Sequence, residues 1–314
     1  MTTKISASTD GLYGSLVVGA TEALRFGSDN SGQLAGFRNK IINGGFDITQ
    51  RGTSFTLNTQ YSSAYSADRW IIALDSASAS LVCTFGQDAN PTAGWPDNAR
   101  YCVLTGTTIS PSTPGYIIQR VEGVRTLAGQ TATLSYREQL LSGTDTGPAP
   151  YLQQRFGSGG SGDVNVSAIS DVKVGQKRIL TFNIPNTLGK TIGANDFLNI
   201  VIPVAGTFSK AFGGMQFEKG GIATPFEERP VGLELSLCQR YFCKVDALAL
   251  TTNTFGSQSF PVQMRISPTI TAAFNAGSGG EFRALNAQTS TTGFYQSTGN
   301  SATATATLSC NAEL

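Results

Sequence analysis

Apolar and polar residues alternate with period two along short stretches of this chain. Leu81–Phe85 reads L-V-C-T-F, Thr131–Tyr136 reads T-A-T-L-S-Y and Ser301–Cys310 reads S-A-T-A-T-A-T-L-S-C. Successive side chains of a strand point to opposite faces, so this pattern marks strands with one buried side. Between such stretches lie clusters of turn-forming residues: N-P-T-A-G-W-P, P-S-T-P-G, G-T-D-T-G-P-A-P and G-S-G-G-S-G. Strands are predicted at 69–74, 80–85, 100–105, 115–121, 130–137, 163–169, 177–184, 195–203 and 213–218. The stretch 121–127 reads as a strand end and loop. So many short strands with no long helix predict an all-β fold, a jelly-roll sandwich of two sheets.

The pattern divides the chain into three. Residues 1–38 carry Gly-bounded apolar pieces, S-L-V-V-G and A-L-R-F-G, but too few residues to bury them alone. They either lie on the next domain or intertwine with the same segment of other copies; the second reading is preferred, making 1–38 an attachment and oligomerisation segment. Residues 39–230 form the sandwich, with Asn39–Phe55 and Gly213–Pro230 read as its first and last strands, closing on a shared interior. Residues 231–314 form a smaller C-terminal β domain. It opens with V-G-L-E-L-S-L, where Leu233, Leu237 and Tyr241 suit one helical face and Leu233, Leu235 and Leu237 suit a strand. Strands follow at 258–266, 269–275, 283–287, 293–296 and 302–309. The small alanines of the last suit neighbours crowded about a symmetry axis; an exposed threonine ladder is the alternative.

Composition narrows the chemistry. Charged residues make up 14% of the chain, against about a quarter in ordinary proteins, and the net charge is +1. Neither nucleic acid nor an anionic membrane is attracted by such a surface. No stretch is long and apolar enough for a membrane span, and no signal peptide is visible. There is no histidine, which removes Ser-His-Asp and Cys-His catalysis and the commonest metal ligand. The five cysteines, Cys83, Cys102, Cys238, Cys243 and Cys310, lack C-x-x-C spacing and read as reduced, buried thiols, consistent with assembly in a cytoplasm. Cys83 and Cys102 lie on neighbouring strands and are placed to face each other.

Several stretches resemble a bacteriophage tail-fibre or receptor-binding protein with a carbohydrate-binding-type jelly-roll module. R-N-K-I-I-N-G-G-F-D-I-T-Q-R-G with A-D-R-W is similar to the module's opening, and Ile117–Tyr136 to its central strands. M-Q-F-E-K-G-G-I-A-T-P-F-E-E-R-P is similar to its close, and Phe260–Thr271 to the fibre domain that follows. Thr49 departs from the aromatic residue common at that position. The resemblance implies a virion structural protein, a homotrimer, assembled in the host cytoplasm. Its N-terminus would join other tail or baseplate proteins, and it would adhere to a host cell-surface glycan. A purely structural collar, head or baseplate fibre is the alternative.

Within that frame the residues offer three kinds of site. Sugar-binding jelly rolls often hold a structural calcium, for which Asp47, Asp68 and Glu218 supply hard oxygen ligands; surface or interface ion pairs are the other reading. A glycan site needs exposed aromatics with amides beside them. Trp95 in A-G-W-P-D-N, and Phe255, Phe294 and Tyr295 with Asn253, Gln258 and Gln296, fit that need, and the C-terminal tip is the preferred contact surface. Trp70 reads as a core anchor. A glycan-cleaving enzyme would need two carboxylates about 5–10 Å apart. Glu122, Glu138, Asp145, Glu227 and Glu228 show no spacing that announces such a pair, and no enzymatic activity is expected.

Overall fold

The structure is a computed structural model that describes residues 4–7, 14–18, 21–26, 37–86, 100–246, 255–276, 282–284, 290–298 and 305–314. At 4–26, 246, 255–258, 272–276, 282–284, 294–298 and 305–306 it describes backbone alone. The chain is all-β, and its sheets are antiparallel. Three strands, β1 (Lys4–Ala7), β2 (Gly14–Val18) and β3 (Thr21–Phe26), form a small sheet in that order.

The body of the chain is a two-sheet sandwich. Its strands are β4 (Ser54–Leu57), β5 (Ser62–Tyr65), β6 (Trp70–Leu74), β7 (Ser80–Gly86), β8 (Tyr101–Ile109), β9 (Gly115–Glu122) and β10 (Thr131–Asp145), then β11 (Tyr151–Arg155), β12 (Val164–Ser167), β13 (Ser170–Val174), β14 (Lys177–Asn183), β15 (Phe197–Val204) and β16 (Gly206–Lys219). One sheet has seven strands in the order β13-β14-β10-β16-β8-β7-β4, and the other six, β12-β11-β15-β9-β6-β5. The expected alternation is visible in the burial. Gly115, Ile117, Gln119 and Val121 of β9 are buried, and Tyr116, Ile118 and Arg120 between them are less so. Trp70, Leu74, Leu81, Leu104, Leu134, Leu180, Ile200 and Phe217 share one interior. Trp70 is fully buried, its indole N–H donating to Asn43 O at 2.8 Å, as a core anchor requires. Cys83 and Cys102 are also fully buried, their sulfurs 3.2 Å apart and both thiols free.

The two ends of the sandwich differ from the sequence reading. Residues 39–53 form no strand. They run as a buried loop against β16, because asparagine side chains take over the role of a ladder. Asn39 donates from Nδ2 to Met215 O (2.9 Å) and accepts at Oδ1 from Ile41 N (3.0 Å) and Phe217 N (2.9 Å). Asn43 donates to Ile48 O and Asp68 O and accepts from Ile48 N. Asn43 and Phe46 adopt φ near +60°, which a strand does not allow. Gly44 lies so close to β16 that a Cβ there would sit 2.1 Å from Met215 O. At the other end, β16 lies at the centre of the seven-stranded sheet, not at its edge, and no strand continues beyond Lys219. Residues 224–227 fold back to bond with Gln216 and Glu218 on its outer side.

After the sandwich come α1 (Val231–Gln239), β17 (Phe242–Asp246), β18 (Phe255–Ser259), β19 (Thr269–Ala276), β20 (Phe282–Ala284), β21 (Gly293–Thr298) and β22 (Thr305–Asn311). The ambiguous opening is helical. It buries Glu234 and Cys238 instead of the Leu233–Leu237 face, because Glu234 is held by Asn43 N and Arg229. Two three-stranded sheets follow, β17-β22-β19 and β18-β21-β20. The strand expected at 258–266 ends at Ser259, ahead of Pro261, and 302–304 lie outside the described residues. Cys243, Val245, Phe260, Met264, Leu308 and Cys310 form a second, smaller core. Arg51 and Arg69 of the sandwich reach the Glu313 carboxylate, Gln50 Nε2 donates to Phe242 O (2.9 Å), and Tyr241 Oη donates to Glu122 (2.7 Å).

Candidate functional site

The outer face of the six-stranded sheet holds the richest group of sugar-compatible side chains among the described residues. Strand register builds it. Tyr116 of β9 lies opposite Pro203 of β15, and Tyr151 of β11 opposite Val201. The two tyrosines therefore stand on either side of β15, two strand spacings across and two residues along, or about 12 Å between their backbones. Ile118, Val201 and Pro203 floor the space between them. Val201 is 2% exposed, so the taller side chains around it wall in the floor. Burial first, and the neighbouring Asp75 carboxylate second, raise both phenols above their ordinary range. Tyr116 donates its O–H to the Asp75 carboxylate and its oxygen can still accept, while the Tyr151 hydroxyl can donate and accept.

One step along the same strands runs a row of polar side chains. Gln153 of β11 lies opposite both Asn165 of β12 and Asn199 of β15, which itself lies opposite Arg120 of β9. Gln153 Nε2 donates to Asn165 Oδ1 at 3.0 Å, and Asn199 Nδ2 donates to Gln153 Oε1 at 3.1 Å. Asn199 is 7% exposed, and its Oδ1 has no partner among the described residues; the same holds for Arg120 Nε. Phe197 lies next along β15, with Arg120 over its ring at 4.8 Å and Arg155 at 5.8 Å. The far end of the face is covered. Tyr65 Oη donates to Leu314 O at 2.8 Å, and Arg120 donates to the same oxygen. The open part therefore runs from Tyr116 to Tyr151 and the amide row: two rings, an apolar floor, an acid at one end and amides at the other. Such a surface can pack a sugar ring and hydrogen-bond its hydroxyls; it presents no nucleophile activated for chemistry.

Trp95 and Asn253 lie outside the described residues, as do the side chains of Phe255, Gln258, Phe294, Tyr295 and Gln296. The backbone pairs β18 with β21, which places Gln258 opposite Phe294 and Gly256 opposite Gln296. The three calcium candidates are each engaged by different protein groups. Asp47 faces Arg100 at 3.8 Å. Asp68 accepts from Gln50 N and Nε2, both at 2.7 Å, and Glu218 accepts from Thr224 N and Oγ1. Among the described residues, no three His, Cys, Asp or Glu side chains group as metal ligands. Of the carboxylates weighed for catalysis, Glu138 and Asp145 both bind Lys210 Nζ, at 2.7 and 2.9 Å. Burial alone would raise the Glu138 carboxyl, but the charge and hydrogen bond of Lys210, with Lys173 and Arg178, hold it below its ordinary value. Glu227 accepts from the backbone of Arg38 and Asn39.

No family model matches the sequence, and no curated protein does. Solved structures with partial overlap include the enzymatically active domain of tailspike protein 4 from bacteriophage CBA120, at 13% identity and a TM-score of 0.32 over 58% of this chain. This chain spans 21% of that structure's length. A protein from Bacteroides thetaiotaomicron, provisionally described as sugar-binding, overlaps 58% of this chain and 100% of its own, with 10% identity and a TM-score of 0.34. The CBM22-1 xylan-binding domain of Paenibacillus barcinonensis Xyn10C overlaps 46% of this chain and 83% of its own, with 13% identity and a TM-score of 0.28. At these values the overlap assigns no activity.

Proposed function

We propose that this chain binds a glycan on the outer face of the six-stranded sheet, and that it does so as the adhesive fibre protein of a virion. The observation that carries the reading is the hydrogen-bonded amide row Asn165–Gln153–Asn199 beside the Tyr116–Tyr151 pair. Amides lined up beside aromatic rings offer a sugar ring an apolar surface and its hydroxyls donors and acceptors. Tailspikes, sugar-binding proteins and xylan-binding modules are the kinds of protein whose structures overlap this one. The sequence resemblance to phage fibres supplies the virion context. In that context residues 1–38 join the copies as a homotrimer and attach them to tail or baseplate proteins. Each face binds weakly, and linked faces add strength.

The test is a glycan array with the full chain, followed by titration of the best ligand. Tyr151→Ala and Asn199→Ala should each weaken binding on the order of 10-fold, the equivalent of about 1.4 kcal/mol. Thermal melting should show that both variants still fold. Saturable binding that neither change affects would remove this face from the reading, and no binding by the wild type would favour a purely structural fibre.

A further inference from the structure

The free edge of the seven-stranded sheet is β13, S-D-V-K-V, which pairs with β14 alone. All five of its residues are exposed, and two are valines, Val172 at 48% and Val174 at 65%, beside Ile169 at 61%. An uncovered edge with apolar side chains is a template for another strand. Which backbone groups it offers follows from the hairpin. β13 and β14 are joined by the two-residue turn Gly175–Gln176, with Gly175 at φ +60°. Such a turn makes Val174–Lys177 the closing hydrogen-bonded pair. Hydrogen-bonded pairs alternate, so Val172–Ile179 and Ser170–Thr181 are bonded too. The N–H and C=O groups of Asp171 and Lys173 therefore point outward, away from β14.

We propose that β13 pairs with β13 of a second copy of this chain, antiparallel, about a two-fold axis at Val172. In that register Asp171 lies opposite the partner's Lys173, and Lys173 opposite the partner's Asp171. These are the residues whose backbone groups face outward, so both pairs are hydrogen-bonded across the axis. Each also sets an acid against a base on one face of the sheet. Val172 meets its own copy at the close, non-hydrogen-bonded position, and Ser170 meets the partner's Val174. An edge lysine ordinarily discourages pairing. Here Lys173 already turns toward Glu138, 3.0 Å away, and Asp171 is held by Arg178 of β14 at 2.7 Å, so the approaching strand adds a second opposite charge to each. Shifting the register by one residue sets Asp171 or Lys173 opposite Val172 and loses the match. The sequence S-D-V-K-V is complementary to itself in this arrangement, which commits the edge to a copy of this chain rather than to an unrelated strand.

Sedimentation velocity of the full chain tests the pairing. Wild type should sediment as a larger assembly than Asp171→Lys, which sets Lys opposite Lys. A second measurement reads the axis directly and does not depend on either charge. Val172→Cys places two thiols at the close position, within disulfide reach. With an added low-molecular-weight disulfide as oxidant, exchange joins the two sulfurs as a linked dimer, and the reagent leaves as two thiols. Val174→Cys is more exposed, yet it lies about 13 Å from its own copy in this register and should not link. Equal masses for wild type and Asp171→Lys, or linking through Val174→Cys instead of Val172→Cys, would each overturn the proposal.

Discussion

Asn39→Ala removes a side chain that replaces a strand's ladder. The amide makes three buried hydrogen bonds, to Met215 O, Ile41 N and Phe217 N, all within 3.0 Å. Alanine fills none of these roles, and the residue is 4% exposed, so water does not reach the orphaned groups freely. Each buried group left without a partner costs about 1–3 kcal/mol. Some relaxation is expected, so the total is set at about 3–5 kcal/mol, a large share of the roughly 5–15 kcal/mol that holds a domain together. The assay is urea unfolding followed by tryptophan emission in a Trp95→Phe background, leaving the fully buried Trp70 as reporter. The midpoint should fall at an unchanged slope. A loss under about 1 kcal/mol would refute the reasoning. It would mean that the 39–48 loop is held by its apolar anchors Ile41 and Phe46 and not by the asparagine.

Two further outcomes follow from the packing. Gly44→Ala should cost about 3–4 kcal/mol or prevent folding, because the added carbon would meet the Met215 carbonyl oxygen at 2.1 Å; a variant that melts with the wild type would contradict it. Glu138 is held below its ordinary value by Lys210, so its contribution is present above the unfolded pKa of about 4.3 and is lost as pH falls through the lower folded value. Glu138→Gln should therefore lose less stability than wild type between about pH 5 and pH 3, by on the order of 1 kcal/mol, and parallel melting curves across that range would refute it.

The strands with alternating patterns were readable because alternation is a local signal. L-V-C-T-F became β7 with Leu81 and Cys83 fully buried, and T-A-T-L-S-Y became the start of β10 with Ala132, Leu134 and Tyr136 inside. Strands that break the pattern were missed. Y-L-Q-Q-R follows Pro148 and Pro150 and carries an inward glutamine, Gln154, which is tolerated because its Nε2 donates to Pro185 O. S-D-V-K-V has no buried side at all. The stretch I-I-N-G-G-F-D-I resembles a bulged strand, and nothing local reveals that its hydrogen bonds are made by asparagine amides. The candidate face was illegible for a different reason. Tyr116, Tyr151 and Asn199 come from three strands, and only the register of β9, β15 and β11 brings them together. Tyr151 also falls where the sequence showed no strand. Prominent loop aromatics such as Trp95 drew attention instead.

Asn39 bonds to a residue 176 positions away, and the core of the sandwich shares that dependence. A ribosome would deliver the loop first and its partner β16 last, so the earliest residues of the sandwich wait for nearly the whole of it to be made. Pairing across such a separation is slow, and the unfinished sheets present open edges while they wait. Production of this protein should therefore be limited by how long the nascent chain is shielded from its neighbours, more than by the stability of the finished fold.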